Sequence, residues 1–309
     1  MTNDLSRRKF LQITGTAAAA AALTGPKVAS AESSSPDAPL PEGNAAVDVC
    51  VVGAGFGGLA AAHAIRAAGG SVVVLEARDR VGGRTLTIPL ADGGWIDEGG
   101  QWVGAGHDRF YHWIKATGKQ TYPSPHAGES LVFGPAERKY TRVGDDWMAV
   151  PGMNRVEAVK ERLQAMADQL DSRQPWSHPE ARKWDAITMA GWLAANVPED
   201  NIREFLVGDM SYACASPEQI SLLSFLSLIR ACVSFDKLNG FDDAAQQDRV
   251  VGGTQPVAKR MAEMLGGNRV RLKQAVRRVH WNTHGATVHT DTLAIEARHV
   301  IFAGPPTLM

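Results

Sequence analysis

Cysteine is scarce in this 309-residue chain, which holds only Cys50, Cys214 and Cys232 and no CxxC pair. That scarcity excludes a disulfide-stapled scaffold and a thiolate zinc cage. An excess of one charge sign is also absent: 32 basic residues oppose 33 acidic ones, for a formal net charge of -1. Such a balance leaves no basic surface for nucleic acid. No His, Cys, Asp and Glu group falls at metal-ligand spacing, and the nine histidines are scattered as surface or capping residues. The N-terminal apolar stretch, Ile13 to Leu23, is mostly alanine and too short for a membrane span of ~20 strongly apolar residues. What remains is a chain 44% hydrophobic, long enough to bury a large core and suited to two interleaved domains. Cys50 reads as a core residue of the first strand. Cys214 and Cys232 flank a predicted helix; a disulfide between them stays open, although the spacing favours free buried thiols.

The residues present carry a sharper signal. Val47 to Val52, broken only by Asp48, reads as a buried strand, and Gly53-Ala54-Gly55-Phe56-Gly57-Gly58 as a glycine turn. An alanine-rich helix from about Leu59 to Ala68 and a second strand, Val72 to Leu75, follow, closed by Glu76. Strand, glycines, helix, strand and acid in this order form the βαβ dinucleotide fingerprint. Gly53 permits the tight turn, Gly55 lets the backbone approach a pyrophosphate, and Gly58 lets helix and strand pack closely. The helix start turns free N–H groups and a positive dipole end toward phosphates. Glu76 falls where a carboxylate can accept hydrogen bonds from a ribose diol.

Glu76-Ala77-Arg78-Asp79-Arg80-Val81-Gly82-Gly83-Arg84-Thr85 continues directly from the acidic strand end. Its paired glycines let backbone run against a cofactor, and Arg84 offers a planar, permanently charged fork. Here the sequence resembles the flavin-containing amine oxidases, in which such a segment wraps the FAD pyrophosphate. Trp95 to Gly104, with Gly99, Gly100, Gln101 and Trp102, resembles the family stretch that runs along the ribityl chain toward the flavin ring. Asp185 with Thr188-Met189 resembles the start of a substrate-domain helix, and Val250 to Thr254 the turn where the chain re-enters the FAD domain. Ala303 to Leu308 resembles a strand end of relatives. The resemblance therefore runs from about residue 47 to the last residue and implies FAD as cofactor. It also implies Val276 as a further cofactor contact.

The fold class expected is α/β. A Rossmann-like FAD-binding domain (47–119 and 249–309) carries an inserted, mostly helical substrate domain (120–248). Ahead of it, Ser6-Arg7-Arg8-Lys9-Phe10-Leu11, the apolar stretch and Val28-Ala29-Ser30-Ala31 read as a twin-arginine signal peptide (1–31), followed by a linker (32–46). That route carries folded cargo to the periplasm, which suits a protein that folds around a cofactor. In the insert, Val156, Val159, Leu163, Met166 and Leu170 keep helical spacing over Arg155–Leu170. Helices are also expected at Met189–Asn196 and Asn201–Met210. Ser216-Pro217-Glu218-Gln219 reads as the start of a buried helix running to about Ser234, with Ser216 as N-cap. After the insert, Gln255–Leu265 reads as a helix. Short strands are expected at Val270–Leu272, Val276–Trp281, Ala286–Thr290, Leu293–Ala297 and His299–Phe302.

By resemblance, the substrate cavity is lined by Trp102, Ser211, Tyr212 and Gln246. The activity implied is oxidation of an amine to an imine by hydride transfer to the flavin, followed by hydrolysis. Oxygen or a periplasmic electron carrier serves as acceptor. A homodimer is left open, and the twin-arginine translocation machinery is the implied protein partner. An L-amino-acid oxidase is an alternative that needs an arginine for the substrate carboxylate; Arg230 and Arg249 are its candidates. Relatives continue well beyond the position of Met309, so the catalytic residues are expected in a C-terminal part absent from this chain. On that reading the sheet keeps an open edge at His299–Phe302, and the chain alone retains FAD weakly and turns over no amine. An inactive remnant and one subunit of a two-chain oxidase are the alternatives.

Overall fold

The computed structural model describes residues 40, 43–134, 136, 140–143, 147–210, 215–266 and 268–308. Residues 1–31, which the sequence reading takes as a signal peptide, and Cys214, Ser211 and Tyr212 lie outside them. The chain divides into two compact units. One takes the chain up to Gln101, Arg109–Thr121 and Val250 onward; the other takes Trp102–Asp108 and Tyr122–Arg249. Residues 102–108, expected within the first nucleotide-binding segment, group instead with the second unit.

In chain order the first unit opens with β1 (Ala45–Val52), α1 (Phe56–Ala67) and β2 (Val72–Leu75), then a ribbon of β3 (Thr87–Pro89) and β4 (Trp95–Asp97). β5 (Trp102–Val103) precedes α2 (Asp108–Ala116) and β6 (Thr121–Pro123). A hairpin of β7 (Ser130–Phe133) and β8 (Tyr140–Val143) follows, which the sequence reading did not foresee. Six helices continue the second unit: α3 (Met153–Ala167), α4 (Ala181–Asp185), α5 (Met189–Asn196), α6 (Asp200–Asp209), α7 (Leu222–Ala231) and α8 (Phe235–Asn239). β9 (Asp248–Val250) leads back to α9 (Gln255–Leu265), β10 (Val270–Arg271), β11 (Arg278–Asn282), β12 (Gly285–His289) and β13 (Ala294–Phe302).

The main sheet of the first unit runs β10-β2-β1-β13-β12-β11. Its first four strands are parallel, and β13, β12 and β11 form an antiparallel meander. β2 is buried at all four positions, and Cys50 and Val51 of β1 are fully buried, the uninterrupted apolar run of a sheet covered on both faces. Asp48 is tolerated in that run because Ser71 donates to its Oδ2 from both N–H (2.9 Å) and Oγ (2.7 Å), and Arg298 pairs with it at 3.1 Å. The two strands expected at Leu293–Ala297 and His299–Phe302 are one. The long β13 pairs with β1 along its length, from Ala45↔Ile295 to Val52↔Phe302, which holds the backbone extended through Arg298. β12 covers its other side only over Ala294–Ala297. From Arg298 to Phe302 that side faces no strand among the described residues.

Two helices brace α1 within this unit. His63 contacts the Met261 carbonyl through Nε2 (2.9 Å) and Arg66 donates to the Leu265 carbonyl (3.0 Å), tying α1 to α9. From α2, Phe110 meets Phe56 edge-on at 4.7 Å, and Trp113 packs on His63 at 4.8 Å. In the second unit, Val156, Val159 and Leu163 of α3 are buried as their spacing requires, against Leu222, Phe225, Leu226 and Ile229 of α7.

The start of α7 corrects the sequence reading. Ser216 accepts only a turn: the N–H groups of Gln219 (2.8 Å) and Ile220 (3.3 Å) point to its carbonyl. The chain then extends, because Ser221 forms a bridge with Thr188, with Met189 N–H donating to Ile220 O and Leu222 N–H to Ile187 O. The helix begins after that bridge, with Ser221 as N-cap accepting from Ser224 N–H at 3.1 Å. Thr188 caps α5 in the same manner, accepting from Gly191 N–H.

Candidate functional site

The glycine turn of the first unit is held open by geometry that side chains would destroy. Gly53 adopts φ +109°, and its N–H donates to Leu75 O at 2.8 Å. A Cβ on Gly58 would sit 2.0 Å from Gly53 O and 3.2 Å from Ala303 Cβ, so α1 can approach the turn and the end of β13 only without one. Gly55 caps α1 with extended backbone and no capping side chain, and the first intrahelical bond is Leu59 N–H to Gly55 O. The N–H groups of Phe56, Gly57 and Gly58 therefore have no acceptor among the described residues, and they are the donors a helix start offers an anion. A Cβ on Gly57 would meet nothing within 4 Å, which leaves the space beside these donors open.

Glu76 does more than face outward from the strand end. Its buried carboxylate accepts Ala54 N–H on Oε2 (2.7 Å) and Arg78 N–H on Oε1 (2.9 Å). It thus fastens the glycine turn to the following loop and keeps lone pairs for a ribose hydroxyl. Ala77 and Arg78 are exposed, and Arg78 donates to Gly83 O at 3.0 Å. Arg80 donates to Thr85 O (2.9 Å) and Gly83 O (3.2 Å). Gly83, at φ +57°, stands so close to Gly55 that a Cβ would lie 3.2 Å from its Cα. Arg84 is exposed, and its guanidinium has no hydrogen bond or ion pair among the described residues. Two glycine backbones, free helix-start donors and an uncommitted guanidinium match the anionic diphosphate of a dinucleotide.

The 98–101 segment lies along this loop. Glu98 N–H donates to Leu86 O (2.7 Å) and Gly100 N–H to Arg84 O (3.1 Å), while a Cβ on Gly99 would lie 2.3 Å from Arg84 O. Gln101 follows, half-buried. The re-entry turn closes over the same region. Gly253 is at φ +89°, with Thr87 Cγ2 and Oγ1 and Asp97 Oδ1 all within 2.7 Å of where a Cβ would be. Sequence reasoning gave Thr87 and Gln255 no part in the site; only the re-entry turn, Val250 to Thr254, marked the spot.

The remaining expected residues are placed separately. Val276 packs partly buried against the sheet core with Val47, Cys50 and Val288. In the second unit, Trp102 is 40% exposed and pairs in register with Arg249. Gln246 donates its amide to Asn239 Oδ1 at 2.7 Å, two residues beyond the Ala244 carbonyl that accepts Ala105 N–H. Arg230 is engaged through Nε with Leu170 O at 3.0 Å. Ser211 and Tyr212 fall outside the described residues. Burial pushes the Cys50 thiol up to about 12, which makes it a packing group rather than a nucleophile. Among the described residues no three His, Cys, Asp or Glu side chains gather as a metal site.

A glycine turn clamped by a buried acid, free helix-start donors and a second glycine loop define a dinucleotide-binding α/β protein with a helical second unit. Residues 56–309 match the family of flavin containing amine oxidoreductases. The chain belongs to that family, whose cofactor is FAD. Putrescine oxidase of Kocuria rosea is 34% identical over 277 residues, covering 84% of this chain and 57% of the relative. Flavin-containing amine oxidase B of Rattus norvegicus is 32% identical, covering 84% and 51%. The solved cyclohexylamine oxidase from Brevibacterium oxydans superposes with a TM-score of 0.78 at 31% identity, covering 83% of this chain and 57% of that one. The chain thus spans little more than half the length of the relatives it matches.

Proposed function

We propose that this chain forms the FAD-holding part of an amine oxidase, with the diphosphate at the Gly53–Gly58 turn and Arg84 and the ribose at Glu76. The observation that carries it is the cradle, where Gly53, Gly58 and Gly83 stand at contacts a Cβ would fill and three backbone donors are left open. A bound flavin would supply the hydride acceptor for oxidation of the carbon next to an amine nitrogen, giving an imine that water would hydrolyse. The chain's own residues bind and orient: Glu76 fixes the turn, and Arg78 and Arg80 hold the 83–85 carbonyls so that Arg84 stays outward. No side chain is assigned as acid or base. Oxygen or a periplasmic carrier is the proposed acceptor. Joined to the C-terminal part that its relatives carry, in cis or as a second chain, the protein should show flavin absorbance that bleaches anaerobically on adding putrescine or cyclohexylamine. A colourless protein that takes up no added FAD would sink the cofactor reading. Bound flavin that no amine reduces in that completed protein would sink the reaction.

We further propose export by the twin-arginine machinery, on the Arg7-Arg8 pattern and the small residues ending at Ala31. Replacing Arg7 and Arg8 by Lys should hold the flavinated protein in the cytosol. Unchanged accumulation in the periplasm would refute it.

A further inference from the structure

Gln255 is 2% exposed, a long primary amide in the first turn of α9 where an apolar residue would pack at lower desolvation cost. Its amide reaches two backbone groups more than 160 residues away in the chain. Nε2 donates to Val81 O at 3.0 Å and Oε1 accepts Thr87 N–H at 3.2 Å. Its own N–H donates to Thr87 Oγ1 (3.1 Å), which in turn donates to Asp97 Oδ1 (2.5 Å). Asp97 Oδ1 also accepts Thr254 N–H at 3.2 Å, and Thr254 Oγ1 donates to Gly100 O at 2.7 Å. One buried network therefore joins the start of α9 to both glycine-rich segments that flank Arg84.

Val81 and Thr87 bracket the loop that holds Gly82, Gly83 and Arg84. Gly82 itself, at φ +106°, stands so close that a Cβ would lie 3.1 Å from Gln255 Cγ. We propose that Gln255 is a positioning residue for the cofactor: by pinning both ends of the 82–86 loop, it sets where Gly83 backbone and the Arg84 guanidinium meet the diphosphate. This rests on the FAD reading above. Gln255 touches no cofactor atom; it acts through the loop. An apolar side chain of the same length would fill the space and leave Val81 O and Thr87 N–H unpaired, free to pull the loop toward water.

The test is FAD titration of the purified chain, with visible circular dichroism of the bound flavin as the second readout. Gln255→Met should raise the FAD dissociation constant about tenfold, the effect of a released loop that holds the binding position only about a tenth of the time, and alter the flavin dichroism. Met261→Ala, on the buried face of the same helix, should lower Tm but keep FAD affinity within about twofold of the parent, since it leaves the hydrogen bonds to the loop in place. Equal FAD binding by Gln255→Met and the parent protein overturns the inference. So does a loss in Met261→Ala as large as in Gln255→Met, which would make the effect one of helix packing alone. Should Gln255→Met fail to fold, Thr87→Val, which removes the hydroxyl between Asp97 and Gln255 N–H, is expected to weaken FAD binding similarly; unchanged affinity there overturns it equally. Failure of the parent to take up FAD refutes the cofactor reading itself, a result separate from any difference between variants.

Discussion

Replacing Gly58 by alanine sets two large effects against each other. The new methyl would lie 2.0 Å from Gly53 O, 3.2 Å from Gly53 C and 3.2 Å from Ala303 Cβ. Restoring ordinary contact at ~3.5 Å requires the helix start and the turn to part by roughly 1.5 Å. The atom it meets first is backbone, so no side-chain rotation relieves it. Moving the turn strains Gly53 N–H to Leu75 O (2.8 Å) and Ala54 N–H to Glu76 Oε2 (2.7 Å), the bonds that seat the cradle. Overpacking of this kind costs about 1–3 kcal/mol, while alanine's helix propensity offsets at most ~1 kcal/mol. The expected net is a loss of about 1–2 kcal/mol in the cofactor-free protein, with Tm lower by roughly 2–4 °C for each kcal/mol. FAD affinity should fall with it, because the donors at Phe56–Gly58 are displaced. Gly57→Ala is the internal contrast: a methyl there meets nothing within 4 Å, so cofactor-free Tm should hold or rise slightly. Thermal unfolding of both variants without FAD, followed by FAD titration of Gly58→Ala, decides the matter. A Gly58→Ala protein with parental Tm and parental FAD affinity would refute the close packing on which the cradle depends.

Glu76→Ala should destabilise the cofactor-free protein as well as weaken FAD binding, since it strands the buried Ala54 N–H; a urea midpoint loss equivalent to about 1–3 kcal/mol is expected. Ser221→Ala should cost about 1 kcal/mol by urea unfolding, whereas Ser216→Ala should stay within ~0.5 kcal/mol; the reverse order would return the N-cap of α7 to Ser216. Native protein at pH 8 should leave Cys50 unlabelled by a thiol reagent until denaturant is added, read by peptide mapping, because burial holds its thiol near 12. Burial, then the neighbouring Arg66 charge, holds His63 below its ordinary 6.5 against the opposing pull of Met261 O. The unfolded chain thus takes that proton first, and the His63 contribution is complete above about pH 6.5 and lost as pH falls through the folded value. Urea midpoints of the parent and His63→Gln should therefore converge between pH 7.5 and pH 5; a constant gap would contradict the shift.

The cradle was legible because its signals are local. Gly53, Gly55, Gly58 and Glu76 lie within one βαβ unit, and each marks a backbone demand that few other residues satisfy. Gln255 was not legible, because its partners Val81 and Thr87 are far away in sequence and a lone glutamine after a glycine pair resembles any helix start. The misplaced cap shows a tertiary contact overriding a good local signal: Ser216-Pro217 has the right chemistry, but the Thr188↔Ser221 bridge keeps the chain extended until Ser221. The split of β13 into two expected strands had the opposite cause. Arg298 and His299 break the apolar alternation, yet pairing with β1 continues past both, and Asp48 gives Arg298 a partner. The helical insert was read well where spacing was regular, the helix expected at Arg155–Leu170 being found at Met153–Ala167, and the helix expected at Met189–Asn196 is reproduced residue for residue.

The pairing of β1 with β13 also sets a clock. Val49 lies beside Val72 on one side and beside His299 on the other, partners 23 and 250 residues along the chain. Closing the longer loop costs about 2 kcal/mol more in chain entropy than closing the shorter, and it cannot begin until the ribosome has delivered β13. β1, α1 and β2 can associate early, but Ala303, against which Gly53 and Gly58 pack, arrives some 245 residues after Gly58. The intervening stretch from Tyr122 to Arg249 is continuous and makes its own core, so it has all its partners first. The cradle is then incomplete until β13 has been synthesised, and any step that requires its closed form must wait for that strand.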